Sequence, residues 1–324
     1  MTEITSNKLE VAMKAKVPKY YWGNWLIENT IATLTGAGGV SKTTLAYDLF
    51  LSLIGEREYF GVKGIPLKIL YFDNESNDAL IHTRLRLLGK EHVASTPHFE
   101  YINDPRVSLK DFEKQRDEWV AGHFEPDIIV LDPVTLLCPG EESDNKFATS
   151  KMNHLRELIA EWHCTFFLVF HPAKEAPPGD NVTYIRGAGS WANLADVCMN
   201  VYRINEKYGS NLAILEIPKN RWCNDGFRQC LKLEEGEFIP IEFPQLYLAE
   251  QSKSGIGGLE TYKLMSEIRS ALEDEEPHGR KELWEKMGIS QDKEVMFHRA
   301  MTALQQKAEV RKVSRGVYQK LKQT

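Results

Sequence analysis

Short apolar runs alternate with longer amphipathic segments over the first half of the chain. The runs are rich in β-branched and aromatic residues and predict strands at 31–35, 67–72, 99–102, 127–131 and 165–170. The segments between them have helical spacing and predict helices at about 43–54, 78–88, 110–122 and 146–162. Continuous apolar strands that alternate with helices are typical of a parallel sheet covered on both faces. The pattern therefore predicts an α/β fold.

The pattern changes after His171. Apolar runs at 197–204, 212–217, 228–233 and 238–241 follow one another without long helices between them. Strands joined by short connections pair antiparallel, so these runs predict an antiparallel extension of the same sheet. The Gly- and Ser-rich residues 251–258 then predict a flexible linker.

Helical spacing returns beyond the linker, at 259–272, 280–287 and 291–307, and strand-like alternation follows at 309–313 and 316–320. Three helices followed by a hairpin resemble a winged-helix domain. The predicted organisation has four parts: a strap or interface segment over 1–30, an α/β core over 31–250, a linker over 251–258 and a winged helix over 259–324.

Charge is unevenly distributed along the chain, which has 324 residues and a formal net charge of −6. Residues 255–324 hold 13 Lys and Arg against 11 Asp and Glu, whereas the rest of the chain holds 27 against 35. A basic end on an acidic body favours an anionic partner for the tail. A solvated charged face would give the same composition, so charge alone leaves both interpretations open.

The sequence also indicates in which cellular compartment the protein is found. The sequence has no secretory leader and no apolar run long enough to cross a bilayer, which predicts a cytoplasmic protein without membrane contact. The 5 Cys residues are scattered without C-x-x-C spacing, which favours reduced thiols over disulfides or a zinc site.

A glycine-rich loop lies between the first predicted strand and the first predicted helix. Its residues are Gly36, Ala37, Gly38, Gly39, Val40, Ser41, Lys42, Thr43 and Thr44. Backbone N–H groups of such a loop bind a triphosphate at a helix N-terminus, a Lys reaches the β- and γ-phosphates, and a hydroxyl binds Mg²⁺. Lys42 and Thr43 fill the last two roles, which predicts ATP and Mg²⁺ as ligands. Ser41 stands where this pattern usually has its last Gly.

Carboxylates end two later strands. Asp132 follows the apolar run 128–131, the position from which an Asp holds Mg²⁺ in phosphate-loop enzymes. Glu75 follows the run 67–72 and is the candidate general base for the attacking water. Asp73 remains a rival for that role.

Two further positions carry candidate chemistry. His171 ends the run 165–170, where a polar side chain is placed to contact the γ-phosphate. Lys219 and Arg221 follow the run 212–217 and would supply positive charge to a neighbouring subunit's nucleotide. Each of these three residues also has an ordinary structural interpretation.

The order of these motifs, with Arg186-Gly187-Ala188-Gly189-Ser190 between His171 and Lys219, resembles the RecA/DnaB-like ATPases. It looks most similar to the plasmid and phage RepA-type hexameric replicative helicases, over about residues 20–245. The resemblance implies a RecA-like core and a ring with its sites between subunits. It implies Glu75 as base, His171 as sensor, Lys219 or Arg221 as the trans residue, and Arg186 near the channel or interface. The appended winged helix departs from the minimal RepA-type helicase.

The phosphate loop is also similar to that of ParA-type partition ATPases, through Gly39, Ser41 and Lys42. Those enzymes need a second Lys where this chain has Ala37. The missing Lys and the presence of Glu75 both argue against partition.

The tail adds a candidate nucleic-acid surface. A winged helix reads the major groove with its third helix and contacts the backbone with its hairpin. The basic residues in reach are Arg280, Lys281, Lys293, Arg299, Arg311, Lys312 and Arg315. Docking to a protein is the alternative, because acids such as Glu282 dilute the basic face.

The sequence therefore predicts an ATP-hydrolysing DNA motor, a ring-forming replicative helicase of a plasmid, phage or mobile element. Single-stranded DNA would pass through a homo-hexamer, and the tail would bind a duplex or fork. The alternative is an ATP-switched, DNA-binding replication initiator or regulator without unwinding activity.

Overall fold

The fold is that of a computed structural model, and its largest element is a nine-stranded sheet. The structure describes residues 13–14, 16–36, 38–63, 65–104, 106–137, 144–171, 189–222, 227–234, 236–248, 264, 268, 271–272, 278–287, 297, 300–301, 304, 310–314 and 317–320.

The strands in chain order are β1 (Tyr20–Trp22), β2 (Leu26–Ile27), β3 (Ile31–Gly36), β4 (Glu58–Tyr59), β5 (Val62–Lys63), β6 (Ile69–Asp73), β7 (Phe99–Ile102), β8 (Ile128–Asp132), β9 (Thr165–Phe170), β10 (Val197–Arg203), β11 (Leu212–Asn220), β12 (Phe227–Glu234), β13 (Glu237–Ile241), β14 (His278–Gly279), β15 (Val310–Ser314) and β16 (Val317–Lys320). The helices are α1 (Lys42–Ile54), α2 (Asp78–Leu87), α3 (Glu91–Ala94), α4 (Leu109–Gly122), α5 (Val134–Leu137), α6 (Asn145–Trp162), α7 (Gly189–Leu194) and α8 (Arg280–Met287). A 3₁₀ turn covers Glu206–Tyr208 and a helical turn covers 245–248.

The large sheet has the order β13-β12-β11-β10-β3-β9-β8-β6-β7. From β10 to β7 all neighbours pair parallel, so the carboxyl ends of these strands meet at one edge. Strands β10 to β13 are also consecutive in sequence and joined by short connections, which only antiparallel neighbours allow. The predicted parallel sheet with an antiparallel extension is confirmed. One detail matters for the site: β9 lies between β3 and β8.

Local sequence signals define the helices that flank this sheet. The Asn77 side chain accepts a hydrogen bond from Leu80 N and starts α2. Ser108 and Asp111 form a reciprocal capping box at the start of α4. The predicted helices 43–54, 78–88, 110–122, 146–162 and 280–287 are found within about two residues of their expected ends, the usual scatter of helix termini. The predicted helices 259–272 and 291–307 lie largely outside the described residues.

A large hydrophobic core lies where α4 and α6 cover the parallel strands. Leu70, Ile129 and Phe166 from the strands are fully buried against Met152 and Trp162 of α6. Burial of one such side chain contributes about 1.5–3 kcal/mol, so this cluster holds the strands in register beneath the site.

Two small hairpins were not predicted, β1 with β2 and β4 with β5. Trp22 is buried between them, and its indole N–H donates to the carbonyl of Tyr59 at 3.0 Å. The described part of the predicted strap therefore packs within its own chain. Its predicted contact with a neighbouring subunit stays a prediction.

The chain divides into two compact units. The first comprises Met1–Tyr202, Ile217–Cys223 and Leu233–Ile239, and the second comprises Arg203–Glu216, Asn224–Lys232 and Pro240–Thr324. The predicted borders at 31, 251 and 259 stay predictions, and the predicted linker lies outside the described residues.

The tail of the second unit has its own core and sheet. Its buried side chains include Leu264, Ile268, Leu283, Phe297 and Tyr318. Strands β14, β16 and β15 form a small sheet in that order, and α8 follows β14 directly. The winged-helix assignment of this region stays a prediction. Among the described helices of the whole chain, none has both the length and the apolar character needed to cross a bilayer.

Candidate functional site

The glycine-rich loop leaves β3 at the carboxyl edge of the sheet. A Cβ on Gly36 would lie 2.4 Å from the Val201 carbonyl oxygen of β10, so only glycine fits there. Gly38 and Gly39 are exposed, and a Cβ on either would meet nothing within 4 Å. The loop is thus packed against the sheet at its start and open to a ligand at its middle. Ala37 lies outside the described residues.

Helix α1 begins at Lys42, directly behind the loop. Ser41 caps it with φ 66° and ψ 39°, a left-handed conformation that glycine adopts at much lower cost. Lys42 is buried, and burial lowers the pKa of its ammonium group while the charges of Asp132 and Glu75 oppose that shift. Lys42 therefore lies within the electrostatic reach of both predicted carboxylates.

Asp132 ends β8 and is buried. Its Oδ2 accepts a hydrogen bond of 2.6 Å from the Tyr71 hydroxyl, and the Thr43 hydroxyl also bonds its carboxylate. Burial raises the pKa of Asp132 to about 6, and the nearby carboxylates of Asp73 and Glu75 add to this effect. A buried carboxylate beside a hydroxyl and two further acids suits a divalent cation.

The residues present therefore fit Mg²⁺, with Thr43 and Asp132 as its protein partners. Mg²⁺ usually binds few protein groups and keeps waters or phosphate oxygens as its other ligands. Among the described residues there is no cluster of three His, Cys, Asp or Glu able to hold a metal by themselves. When bound, the cation would neutralise charge on the phosphate oxygens.

The structure brings Glu75 and His171 together, although they are 96 residues apart. His171 Nε2 and Glu75 Oε1 lie 2.9 Å apart, within hydrogen-bonding distance. The side chains are 37% and 44% exposed respectively, so both groups face solvent at the edge of the sheet. A solvent-facing carboxylate in contact with an imidazole can accept a proton from water.

Asp73 is placed differently. Its side chain is fully buried, and its oxygens accept from the backbone N–H groups of Glu75 and Ser76 and from the Tyr47 hydroxyl. A carboxylate engaged in this way supports the loop and does not face the solvent. Of the two rivals for the base role, Glu75 faces solvent and Asp73 does not.

Lys219 and Arg221 both contact the C-terminal end of α7 within the same chain. Arg221 donates to the Asn193 carbonyl at 2.6 Å and approaches Asp196 Oδ1 at 3.4 Å. The Lys219 ammonium donates to three carbonyls, those of Ala192, Asn193 and Ala195, at 2.7–2.8 Å. Burial lowers its pKa. Cations are favourable at a helix C-terminus, so these contacts stabilise α7. A role in a neighbouring subunit's site stays a prediction.

The predicted DNA contacts are only partly described. Lys281 is exposed on α8, Arg280 begins that helix, and Arg311 and Lys312 belong to β15. The remaining positions lie outside the described residues: Lys293, Arg299, Arg315 and also Arg186. DNA binding by the tail stays a prediction.

Sequence reasoning missed the aromatic and basic groups beneath the site. Tyr47 of α1 and Tyr71 of β6 stack with centroids 4.4 Å apart, and their hydroxyls bond the carboxylates of Asp73 and Asp132. Arg84 of α2 reaches back to the same Asp73. Tyrosines within apolar runs resemble core residues, and the spacing of Arg84 carries no motif, so the sequence held no signal for either contact.

Comparison with known proteins bears on the family and the fold. The protein-family model described as an AAA domain matches residues 9–177, just over half of the chain. No curated protein matches the chain in sequence. The fold is similar to that of a KaiC-like protein from the hyperthermophilic archaeon Pyrococcus horikoshii OT3, with a TM-score of 0.51 and 16% identity. That match covers 68% of this chain and 94% of the other, and at this identity it shows the fold alone. The chain belongs to the AAA domain family and has a RecA-like α/β fold.

Proposed function

We propose that this protein hydrolyses ATP in the presence of Mg²⁺ and uses the hydrolysis to move along or remodel DNA. One observation carries the proposal. The open glycine loop, the Thr43–Asp132 pair and the Glu75–His171 pair share one edge of a parallel sheet. Ligands of open α/β sheets bind at this edge.

Each group has a role that its surroundings allow. Lys42 and the loop amides bind the phosphates, and Thr43 and Asp132 hold Mg²⁺. Glu75 accepts the proton of the attacking water, because it is solvent-facing while Asp73 is not. His171 directly follows β9, the strand between the loop strand β3 and the Asp132 strand β8, and its Nε2 contacts Glu75, so we assign it the role of γ-phosphate sensor.

The coupling to DNA rests on the sequence resemblance and on the basic tail. In a ring of subunits the half-exposed Glu75 would face a neighbour, and a cation from that neighbour would complete the site. The resemblance to RepA-type helicases favours single-stranded DNA in the channel of a homo-hexamer.

One observation favours a second function. Lys219 and Arg221 both bond carbonyl groups at the end of α7 in their own chain, so in the single chain these two cations are not held out towards a neighbour. An ATP-switched regulator or initiator would use this state, with assembly itself as the output.

The two functions differ in how single-stranded DNA affects turnover. Steady-state ATP hydrolysis is measured with and without a single-stranded oligonucleotide, and strand separation is followed on a forked duplex labelled with a fluorophore and a quencher. A motor should show severalfold stimulation and ATP-dependent separation, and Glu75→Gln should show neither. One unchanged rate and an intact fork would refute the motor and support the switch.

A further inference from the structure

The backbone of the loop that carries Glu75 is fixed at three consecutive amide groups. Asn74 N–H donates to the carbonyl of Asp132 at 3.0 Å. The N–H groups of Glu75 and Ser76 donate to Asp73 Oδ1 at 3.3 and 2.9 Å. Two of these three contacts depend on the orientation of one carboxylate, so the position of Glu75 depends on Asp73.

Asp73 is itself a buried charge that needs support. Its side chain is fully buried in the first unit, at the carboxyl end of β6. Burial of a carboxylate is costly unless it is hydrogen-bonded and paired with a cation. The Tyr47 hydroxyl donates to Asp73 Oδ2 at 3.2 Å, which anchors the carboxylate to the helix that begins at Lys42.

Arg84 supplies the cation. Its guanidinium Nη1 lies 3.5 Å from Asp73 Oδ2 and donates to Ser76 Oγ at 2.9 Å. The same group lies over the Tyr47 ring, 5.7 Å from its centroid. Its side chain is 16% exposed, so these contacts are shielded from competing water. One guanidinium therefore holds both the carboxylate that fixes the loop and the residue that follows Glu75.

We infer that Arg84 is a positioning residue for hydrolysis: through Asp73 and Ser76 it holds Glu75 where the attacking water must be deprotonated. The inference rests on the proposed role of Glu75 as general base. Arg84 acts on the loop and not on the nucleotide, so its loss should slow turnover and leave nucleotide binding nearly intact. A residue that only stabilised the fold would change the amount of active protein and not the rate per site.

The test is Arg84→Met, which removes the charge and keeps most of the aliphatic stem. We expect kcat per nucleotide-binding site, titrated with a fluorescent ADP analogue, to fall at least about tenfold, with KM changed less than about threefold. Arg84→Lys keeps the charge without the planar fork and should recover part of kcat. Arg86→Met is the matched control, because Arg86 is an exposed arginine of the same helix. It should stay within about twofold of wild type.

A double-mutant cycle with Glu75→Gln separates this inference from the proposed base. If Arg84 acts through Glu75, Arg84→Met in the Glu75→Gln background should cause little further loss. Losses that multiply would overturn the positioning role. Near-normal turnover by Glu75→Gln alone would instead overturn the base assignment. Tyr47→Phe removes the hydroxyl that donates to the Asp73 carboxylate. If Arg84→Met does not fold, Tyr47→Phe replaces it in the double-mutant cycle. Full kcat in Tyr47→Phe would also count against the inference.

Discussion

Ser41 is the residue at which this phosphate loop departs from the usual pattern. It takes a left-handed conformation at the start of α1, and among the described residues its side chain accepts no capping hydrogen bond. For a residue with a Cβ this conformation costs about 1–2 kcal/mol. Ser41 therefore adopts the left-handed backbone conformation that a glycine would adopt at this position. Among the described contacts, no capping hydrogen bond from its side chain offsets the cost.

Ser41→Gly should raise the free energy of unfolding by up to about 1 kcal/mol, because relief of the strained conformation exceeds the entropy that glycine adds to the unfolded chain. Ser41→Ala keeps the Cβ and is the matched control, expected within about 0.5 kcal/mol of wild type. Urea denaturation of the three proteins measures the differences. If Ser41→Gly were less stable than wild type, the hydroxyl would matter more than the backbone conformation.

Substitutions of Glu75 and Lys42 should affect different steps, hydrolysis for Glu75 and nucleotide binding for Lys42. Glu75→Gln keeps the shape of the side chain and removes its basicity, so nucleotide affinity should be retained while kcat falls by about 10²-fold or more. Lys42→Ala removes the phosphate contact, so nucleotide affinity itself should fall. Titration with a fluorescent ADP analogue and a phosphate-release assay separate the two. Equal loss of binding in both variants would contradict this division.

At this scale the sequence identifies single side chains better than their contacts. Lys42, Thr43 and Asp132 are predictable because loops and strand ends have recognisable spacing. The 2.9 Å contact between His171 and Glu75 depends on β9 and β6 ending at the same edge, which only the sheet order determines. From the sequence, Asp73 remains a rival to Glu75 for the role of base, because both follow the same predicted strand. A position after a strand does not reveal whether a carboxylate is buried.

At the scale of elements, a buried polar network ties α1 to three other segments. Lys90, which caps α3, forms an ion pair with Asp48 and donates to Ser52 Oγ at 2.7 Å. Asp48 Oδ2 also accepts from the Tyr59 hydroxyl at 3.0 Å and is 3.4 Å from the N atom of Phe238 in β13. The phosphate-loop helix is thus fixed at its far side by contacts with α3, β4 and β13.

Lys90→Met should destabilise the protein by about 3–5 kcal/mol, because it leaves the Asp48 carboxylate buried without its cation. The double variant Asp48→Asn/Lys90→Met removes both charges and should recover much of that loss. Both free energies come from denaturant unfolding at neutral pH. If the double variant lost as much stability as Lys90→Met and a separately measured Asp48→Asn variant together, the ion pair would not be the cause.

Long elements are predictable and short ones are not. Strands β3, β6, β8 and β9 are buried apolar runs with clear borders, so composition identifies them. The hairpins β1–β2 and β4–β5 have strands of 2 or 3 residues, too short for any periodicity. Trp22 joins these hairpins through a bond to a backbone carbonyl, a partner that sequence does not specify.

At the scale of the whole molecule, subunit mixing tests whether Arg221 acts on a neighbour. If it completes a neighbour's site, small fractions of Arg221→Ala subunits should reduce the ATPase rate of a ring more than in proportion. Arg156→Ala is the matched control, because Arg156 also contacts Asp196 and donates to the Leu194 carbonyl within the chain. A proportional loss for both variants would assign Arg221 to the stability of α7 alone.

The tail can be tested in the full chain by reversing charge on β15. Arg311→Glu/Lys312→Glu should weaken duplex binding and reduce the salt slope by about 1 for each phosphate that is no longer neutralised, with ATPase activity unchanged. Lys110→Glu/Lys114→Glu makes the same charge change on exposed positions of α4 and should leave duplex affinity unaltered. Fluorescence anisotropy at several salt concentrations measures both. Unchanged binding by the β15 variant would support protein docking by the tail.

The central place of β3 has a consequence for folding. Its partners are β9 on one side and β10 on the other, and β10 begins at Val197, beyond the segment 9–177 that matches the family model. A polypeptide released at 177 would expose one full edge of an apolar strand, which invites pairing with other chains. Such a truncated chain should aggregate, and during synthesis the phosphate-loop strand must wait for β10 to be completed before its second edge is protected.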